Sequence, residues 1–133
     1  MLNDGDRILN VPSFRTRFTI ARYAAYASIK GAVDVLPHDQ AKESGQRNIT
    51  VATIAFGPIE TNVGGGAVRD NSQFNQAIAL QTALGRVVLP EHVDCALAMR
   101  ASSHRGWFTG QRMEAVGGRL LSCVGCGPLA SRY

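Results

Sequence analysis

The residues of this chain best suited to chemistry are a tyrosine and a lysine four positions apart, with a serine upstream. Tyr26 and Lys30 bound the stretch Tyr26-Ala-Ser-Ile-Lys30, and Ser13 lies thirteen residues before Tyr26. On a helix, a spacing of four places two side chains one turn apart on the same face. The spacing therefore predicts that an ammonium group lies close to a phenol.

These three groups suit proton transfer at an oxygen atom. A phenol with an ordinary pKa of about 10 is a poor proton donor or acceptor at neutral pH, and a nearby positive charge stabilises the phenolate. The Ser13 hydroxyl could hydrogen-bond a carbonyl oxygen on which negative charge develops. The set therefore predicts acid/base chemistry on a carbonyl or alcohol oxygen. The alternative is a half-buried tyrosine beside a solvated lysine, since this spacing also arises by chance.

Apolar runs separated by helical patterns indicate an α/β domain with three parallel strands and helices on both faces. The predicted strands are residues 7–11, 49–56 and 111–116. The predicted helices are residues 23–42, 74–84 and 90–102. A strand, a helix and a strand of these lengths form a right-handed parallel crossover. Such a unit packs the helix that bears Tyr26 against the sheet, beside the strand that precedes Ser13.

The first predicted helix carries residues that disfavour its second half. Pro37 lies inside it, where a proline costs about 3 kcal/mol or kinks the helix. Gln40 and Ser44 occupy positions that a long helix fills with apolar residues, and Gly45 is predicted to end it. The helical spacing itself comes from the stem of Lys30 and from apolar residues at Ala24, Ala27, Ala32, Val35 and Leu36.

Length and composition indicate one globular domain. The 133 residues are 45% hydrophobic and 18% charged, which is ordinary for a soluble protein. No apolar run approaches the ~20 residues that a membrane helix needs, and the first residues are too polar for a secretion signal. We therefore expect a cytoplasmic protein with no membrane partner.

The net charge of +4 raises the question of an anionic partner. Aromatic and basic residues do not alternate as they do in surfaces that stack bases, so we expect no nucleic-acid partner. The densest basic group is Arg15, Arg17 and Arg22. It is interpreted as a solvated loop, and the alternative is that these arginines line a substrate mouth and favour an anionic ligand.

The three cysteines do not form a disulfide framework, because one is left over in any pairing. Cys123 and Cys126 have the spacing of a redox motif or of half a zinc site. No second ligand pair stands at a recognised spacing, so no metal is expected. Cys95 falls in an apolar helical pattern and is predicted to lie in the core.

Neither glycine-rich stretch predicts a dinucleotide-binding turn. Residues 64–66 are three glycines that do not link a strand to a helix, and the loop of residues 62–66 is predicted to be flexible enough for a lid. Residues 125–130 match Gly-x-Gly-x-x-Ala by letter, but only three residues follow them. Such a motif requires a strand before it and a helix after it, so the match is interpreted as chance.

Four ordered blocks of this sequence resemble the short-chain dehydrogenase/reductase family. The blocks are Arg7-Ile-Leu-Asn-Val-Pro-Ser13 with Tyr23-Ala-Ala-Tyr26-Ala-Ser-Ile-Lys30, Asn48-Ile-Thr-Val-Ala-Thr-Ile-Ala-Phe-Gly-Pro-Ile-Glu-Thr61, Leu84-Gly-Arg-Val-Val-Leu-Pro-Glu-His92, and Trp107-Phe-Thr-Gly-Gln-Arg-Met-Glu-Ala-Val-Gly-Gly118. The resemblance implies the C-terminal half of a Rossmann-like doubly wound fold over residues 1–118, followed by a divergent tail at residues 119–133.

The resemblance also implies roles for five residues. Tyr26 matches the general acid/base, and Ser13 matches the hydroxyl that orients the substrate. Lys30 matches the residue that assists the tyrosine and holds the nicotinamide ribose, while Ile59 and Thr61 match positions that contact the nicotinamide carboxamide. NAD or NADP is therefore the implied cofactor, and a small alcohol or carbonyl compound is the implied substrate.

The resemblance finally implies a truncated family member. Met1 falls just before the fifth strand of the family's sheet, so the Gly-rich turn and the adenine pocket have no counterpart. We expect weak NAD(P) binding and impaired activity for this chain alone. Pro12, Phe14 and Phe56 stand where the family usually has Ser, Gly and Pro. The alternative is a non-catalytic remnant that acts, if at all, as an interaction fragment, and the family's subunit interfaces imply a possible homo-oligomer.

Overall fold

The computed structural model describes residues 1–18, 21–102 and 106–119. Residues 19–20, 103–105 and 120–133 lie outside the described part of the chain. The predictions for Cys123, Cys126 and the glycine pattern at residues 125–130 therefore fall outside it.

In the part of the chain that the structure describes, three parallel strands form one sheet in the order of the chain. They are β1 (Arg7–Asn10), β2 (Thr50–Phe56) and β3 (Gln111–Ala115). β2 is the middle strand, with Ile8 of β1 opposite Val51 and Met113 of β3 opposite Ile54. The predicted three-stranded parallel sheet is confirmed, and each strand end agrees with its prediction within one residue.

The middle strand forms the centre of the core. Residues 51–56 are all buried, and its polar member Thr53 is only 1% exposed. Strands of a parallel sheet that are covered on both faces read as continuous apolar or β-branched runs rather than alternating ones. This strand therefore provides the rigid base from which the loops at its carboxyl end are held.

Within the described residues, four helices lie between the strands along the chain. They are α1 (Ala24–Ser44), α2 (Ala67–Asp70), α3 (Ser72–Leu80) and α4 (Pro90–Ala101). Two 3-10 turns lie at Phe14–Thr16 and Gly45–Arg47. The three predicted helices are confirmed, whereas the four-residue α2 was not predicted. None of the helices in the described ranges combines the length and the apolar character needed to cross a membrane.

Helix α1 continues through Pro37 to Ser44, and the predicted weakness of its second half stays a prediction. The Pro37 ring is fully buried. This burial offsets part of the free-energy cost of the backbone hydrogen bond that a proline cannot make. α1 ends at Gly45 as predicted, but Gly45 keeps right-handed dihedral angles. The left-handed residue is Asn48, with φ of 56°, a conformation that asparagine tolerates better than most residues.

The buried face of α1 differs from the one that its apolar spacing suggested. Val35 and Leu36 are 64% and 47% exposed, while Asp34 and Gln40 are partly buried. The inward polar groups are satisfied, since Gln40 Oε1 accepts a hydrogen bond of 3.0 Å from Asn10 Nδ2 of β1. Helical periodicity was therefore a correct indicator of the helix and a wrong indicator of its inner face.

Cys95 lies on the exposed side of α4, so its predicted core position is wrong. The inward side of α4 is formed instead by the half-buried Val93, Ala96 and Leu97 and by the buried Arg100. Arg100 reaches back to donate a hydrogen bond of 2.9 Å to the Phe108 carbonyl. Because the inner face includes an arginine, it does not read as an apolar stripe in the sequence, and the apolar pattern that includes Cys95 was mistaken for it.

Candidate active site

The residues that the sequence singled out follow the carboxyl ends of two neighbouring strands. Ser13 lies in the segment after β1, and Ile59 and Thr61 lie in the segment after β2. Because β1 and β2 are parallel, their carboxyl ends meet at the same edge of the sheet. Open α/β sheets bind ligands at this edge.

Ser13 is buried and caps a turn. Its residue surface is 7% exposed, and its Oγ accepts a hydrogen bond of 3.3 Å from the backbone N–H of Arg15, inside the Phe14–Thr16 turn. A serine hydroxyl can accept and donate at the same time. The contact therefore orients the side chain and leaves its hydrogen available to another acceptor.

Lys30 anchors α1 to the segment that leads to Ser13. Its Nζ donates a hydrogen bond of 2.9 Å to the backbone carbonyl of Val11. An ammonium group has three hydrogens, so two remain after this contact. The bond holds the cation beside the end of β1, where a ligand at the edge of the sheet could meet it.

Tyr26 lies one helical turn before Lys30 and is 43% exposed. Its ring meets the Tyr23 ring edge to face, with a centroid distance of 6.3 Å and an interplanar angle of 83°. Among the described residues, no hydrogen bond joins Ser13, Tyr26 and Lys30 directly to one another. The structure thus ties Lys30 to the Ser13 segment, and the convergence of all three groups on one substrate stays a prediction.

Ile59 and Thr61 lie in a short turn that is fixed to the segment before α4. Ile59 forms a parallel bridge with Val88, and the next N–H, that of Glu60, donates a hydrogen bond of 3.0 Å to the Val88 carbonyl. The Thr61 N–H donates 2.9 Å to the Ile59 carbonyl. Both residues are half-buried, and their predicted contact with a nicotinamide stays a prediction.

A partly buried ionic cluster that the sequence did not predict contacts the segment that contains Ser13. Arg112 of β3 forms an ion pair of 2.7 Å with Asp34 of α1 and a second ion pair with Glu114. The three side chains are 11%, 16% and 19% exposed. The Arg112 guanidinium also donates to Thr16 Oγ1 at 3.2 Å and to the Ser13 carbonyl at 3.5 Å.

The Thr16 hydroxyl completes this ionic cluster. It lies 2.9 Å from both Asp34 Oδ2 and the Ser13 carbonyl, but one hydroxyl hydrogen cannot serve both acceptors fully. The carboxylate is the stronger acceptor. The Ser13 carbonyl then relies on the Thr16 N–H at 3.2 Å and on Arg112, so the position of Ser13 depends on a residue of β3.

The three loop arginines have different environments. Arg17 pairs with Glu114 at 3.1 Å while its side chain stays 58% exposed, and Arg22 is exposed with φ of 72°. Arg15 instead stacks over the Tyr23 ring, with 3.9 Å from its guanidinium carbon to the ring centroid. The solvated-loop interpretation therefore fits Arg22 but does not fit Arg15.

Within the described ranges, no three His, Cys, Asp or Glu side chains cluster as metal ligands would.

Comparison with known proteins identifies extensive similarity. Residues 1–119 match the family described as enoyl-(acyl carrier protein) reductase. The chain is 32% identical over 115 residues to the 3-oxoacyl-[acyl-carrier-protein] reductase FabG of Vibrio cholerae. This match covers 86% of this chain and 46% of that protein. It is 30% identical over 117 residues to an uncharacterised oxidoreductase of Methylorubrum extorquens, covering 88% of this chain and 47% of that protein.

Solved structures give the same result at the level of the backbone. The reductase LugOII, described as catalysing keto-reduction at C1 during lugdunomycin biosynthesis, superposes with a TM-score of 0.83 at 33% identity, over 91% of this chain and 47% of that one. The angucycline C-6 ketoreductase LanV with bound NADP superposes with a TM-score of 0.80 at 30% identity, over 90% and 46%. The chain spans about half the length of the relatives it matches.

Proposed function

Since this chain belongs to the short-chain dehydrogenase/reductase family, we propose that it supplies the proton-transfer residues of an NAD(P)-dependent oxidoreductase that interconverts a carbonyl compound and an alcohol. The observation that carries the proposal is the hydrogen bond from Lys30 to the Val11 carbonyl. It fixes the helix that bears Tyr26 and Lys30 to the segment that bears Ser13. Relatives described as ketoreductases, one with bound NADP, support the same reaction.

In this mechanism, the substrate carbonyl oxygen binds between Ser13 and Tyr26. The Ser13 hydroxyl donates a hydrogen bond to that oxygen, because a carbonyl oxygen can only accept, while Ser13 Oγ accepts from the Arg15 N–H. The Tyr26 hydroxyl transfers its proton to the same oxygen, which becomes the alcohol. Lys30 stabilises the resulting phenolate by its charge and keeps two N–H donors for a cofactor ribose.

A nicotinamide cofactor, when bound, supplies the hydride that forms the new C–H bond of the alcohol. The described residues fit only the nicotinamide end of such a cofactor, through Lys30, Ile59 and Thr61. None of the three described strands leads through a Gly-x-Gly-x-x-Gly turn into a helix, which is the usual cradle for the pyrophosphate. We therefore propose that the chain corresponds to the C-terminal half of such enzymes and that the adenosine end is bound by residues outside it.

The first prediction concerns cofactor binding. Calorimetric titration of the purified 133-residue chain with NADPH and with NADH should show no saturable binding tighter than about 1 mM. A fusion that places the chain after the preceding portion of the Vibrio cholerae reductase should bind one of them in the micromolar range and reduce ketones. The preceding portion alone is the control. Micromolar binding by the chain alone, or a folded fusion that reduces no ketone, would contradict the proposal.

We also propose that the chain self-associates through the outer face of α1. Ile29 and Leu36 lie seven positions apart on one helix face and are 69% and 47% exposed. Burying such side chains against a second copy stabilises a dimer through the loss of water-exposed apolar area.

Sedimentation equilibrium tests this second prediction. The purified chain should sediment as a dimer, and Ile29→Lys should shift it to a monomer, because the dimer would bury an unpaired charge. The control is Val63→Lys, which also adds one charge at an exposed apolar residue, 81% exposed, but lies outside α1. A chain that stays monomeric at all concentrations would contradict the proposal.

A further inference from the structure

We propose that Arg15 binds an anionic group of the substrate, so that the preferred substrate is a carbonyl compound that carries a carboxylate or a comparable anion. This inference rests on the proposed function, because the carbonyl of the same substrate is the group that Ser13 and Tyr26 would bind. It assigns Arg15 a role in substrate specificity that is separate from proton transfer.

Arg15 contacts Ser13 directly and lies one ring away from Tyr26. Its backbone N–H donates to Ser13 Oγ at 3.3 Å. Its guanidinium carbon stands 3.9 Å from the Tyr23 ring centroid, and that ring lies 6.3 Å from the Tyr26 ring. A single small molecule could therefore reach both the guanidinium and the Tyr26 hydroxyl.

The charge of Arg15 is not neutralised within the described part of the chain. The charges of two other arginines are neutralised, since Arg17 pairs with Glu114 and Arg112 pairs with Asp34. Among the described residues, the Arg15 side chain forms no ion pair, and its Nη1 is buried without a hydrogen-bond acceptor. A buried donor without an acceptor is unfavourable, and an anionic ligand would supply both an acceptor and a countercharge.

A second arginine adds positive charge at the same place. The guanidinium carbons of Arg15 and Arg119 stand 5.7 Å and 5.3 Å from the centroid of the same Phe14 ring. The pKa of Arg119 is lowered, first by its burial and second by the charge of Arg15. The two guanidinium groups thus lie close enough for the charge of Arg15 to act on Arg119.

Ring stacking also prepares Arg15 for binding. A guanidinium is a planar fork that matches a carboxylate with two parallel hydrogen bonds. Stacking on Tyr23 fixes its plane, and a fixed donor loses less conformational entropy on binding. A phosphate of the cofactor has similar chemistry, so the experiment has to separate the two sources of the anion.

The test compares levulinate, a keto acid, with its neutral methyl ester as substrates of the fusion described above. The unmodified protein should prefer levulinate by about tenfold or more in kcat/KM. Arg15→Met should lower kcat/KM for levulinate by roughly 10- to 100-fold, the range expected for a charge-assisted hydrogen bond. The ester should change by less than about threefold, and the KM for NADPH should not change.

Arg22→Met is the matched control, because it removes the same charge from an exposed residue of the same loop. It should leave the preference for levulinate intact. Equal losses for the acid and the ester in Arg15→Met would assign Arg15 a structural role, and a raised KM for NADPH would assign it to the cofactor. Either result overturns the inference while leaving the proposed function in place.

A measurement without catalysis keeps the inference testable if the fusion reduces neither substrate, a result that would count against the proposed function itself. The Nε–H resonance of Arg15 can be followed by NMR in the 133-residue chain during titration with levulinate. Saturable displacement by levulinate and none by the methyl ester would support the inference. An unmoved resonance at millimolar levulinate would overturn it.

Discussion

Replacing Tyr26 with phenylalanine should lower kcat for ketone reduction by about 100- to 10,000-fold, the usual contribution of a positioned acid or base. The substitution keeps the ring that packs edge to face on Tyr23 and removes only the hydroxyl that would protonate the carbonyl oxygen. KM for the ketone should change little, because Ser13 still binds the oxygen in the ground state. The measurement is steady-state oxidation of NADPH by the fusion at saturating ketone.

Ser28→Ala is the control for this prediction. It deletes a hydroxyl from the same helix, between Tyr26 and Lys30, where Ser28 Oγ donates to the Ala24 carbonyl at an exposed position. Its kcat should stay within about twofold of the unmodified fusion, since an exposed hydroxyl that bonds its own helix contributes little. A loss below about fivefold for Tyr26→Phe would mean that the proton comes from another group.

The sheet could be predicted from the sequence because its signal is local. β2 is a continuous apolar and β-branched run, and every residue from position 51 to 56 is buried. The pairing of β1 with β2 also agrees with topology, since a helix of this length between two strands favours a parallel crossover. Local composition and chain connectivity together determine this part of the fold.

The inner face of α1 could not be predicted in the same way. Asp34 and Gln40 face inward because each finds a partner in another element, Arg112 in β3 and Asn10 in β1. Arg112 lies 78 positions from Asp34 in the sequence. A residue can pay the cost of burial through such a distant partner, and periodicity within one helix contains no information about it.

The candidate site also combines local features, which the sequence predicts, with long-range contacts, which it does not predict. The spacing of Tyr26 and Lys30 is a local property of one helix, and their placement one turn apart follows from it. The anchoring of Lys30 to Val11 and the support of Ser13 by Arg112 join distant segments. One available signal was the alternation of charges in β3, where Arg112 and Glu114 share one face of a strand.

The largest effect on stability is expected for Arg112→Met, which should lower the free energy of unfolding by about 3–5 kcal/mol. Methionine keeps most of the volume of the side chain but leaves Asp34 and Glu114 partly buried without their shared cation. Arg17 cannot replace it, because it reaches only Glu114 and is itself 58% exposed. Urea denaturation of the purified chain, followed by circular dichroism, measures the loss.

Two further variants separate this effect from the loss of any ion pair. Arg47→Met breaks a pair of similar length, 2.8 Å to Asp4, between side chains that are 49% and 75% exposed, and it should cost less than about 1 kcal/mol. The triple variant Arg112→Met, Asp34→Asn, Glu114→Gln should recover much of the stability lost in Arg112→Met, because it also removes the stranded charges. If Arg112→Met and Arg47→Met cost the same, water screens the ionic cluster, and Ser13 is held by its own turn rather than by β3.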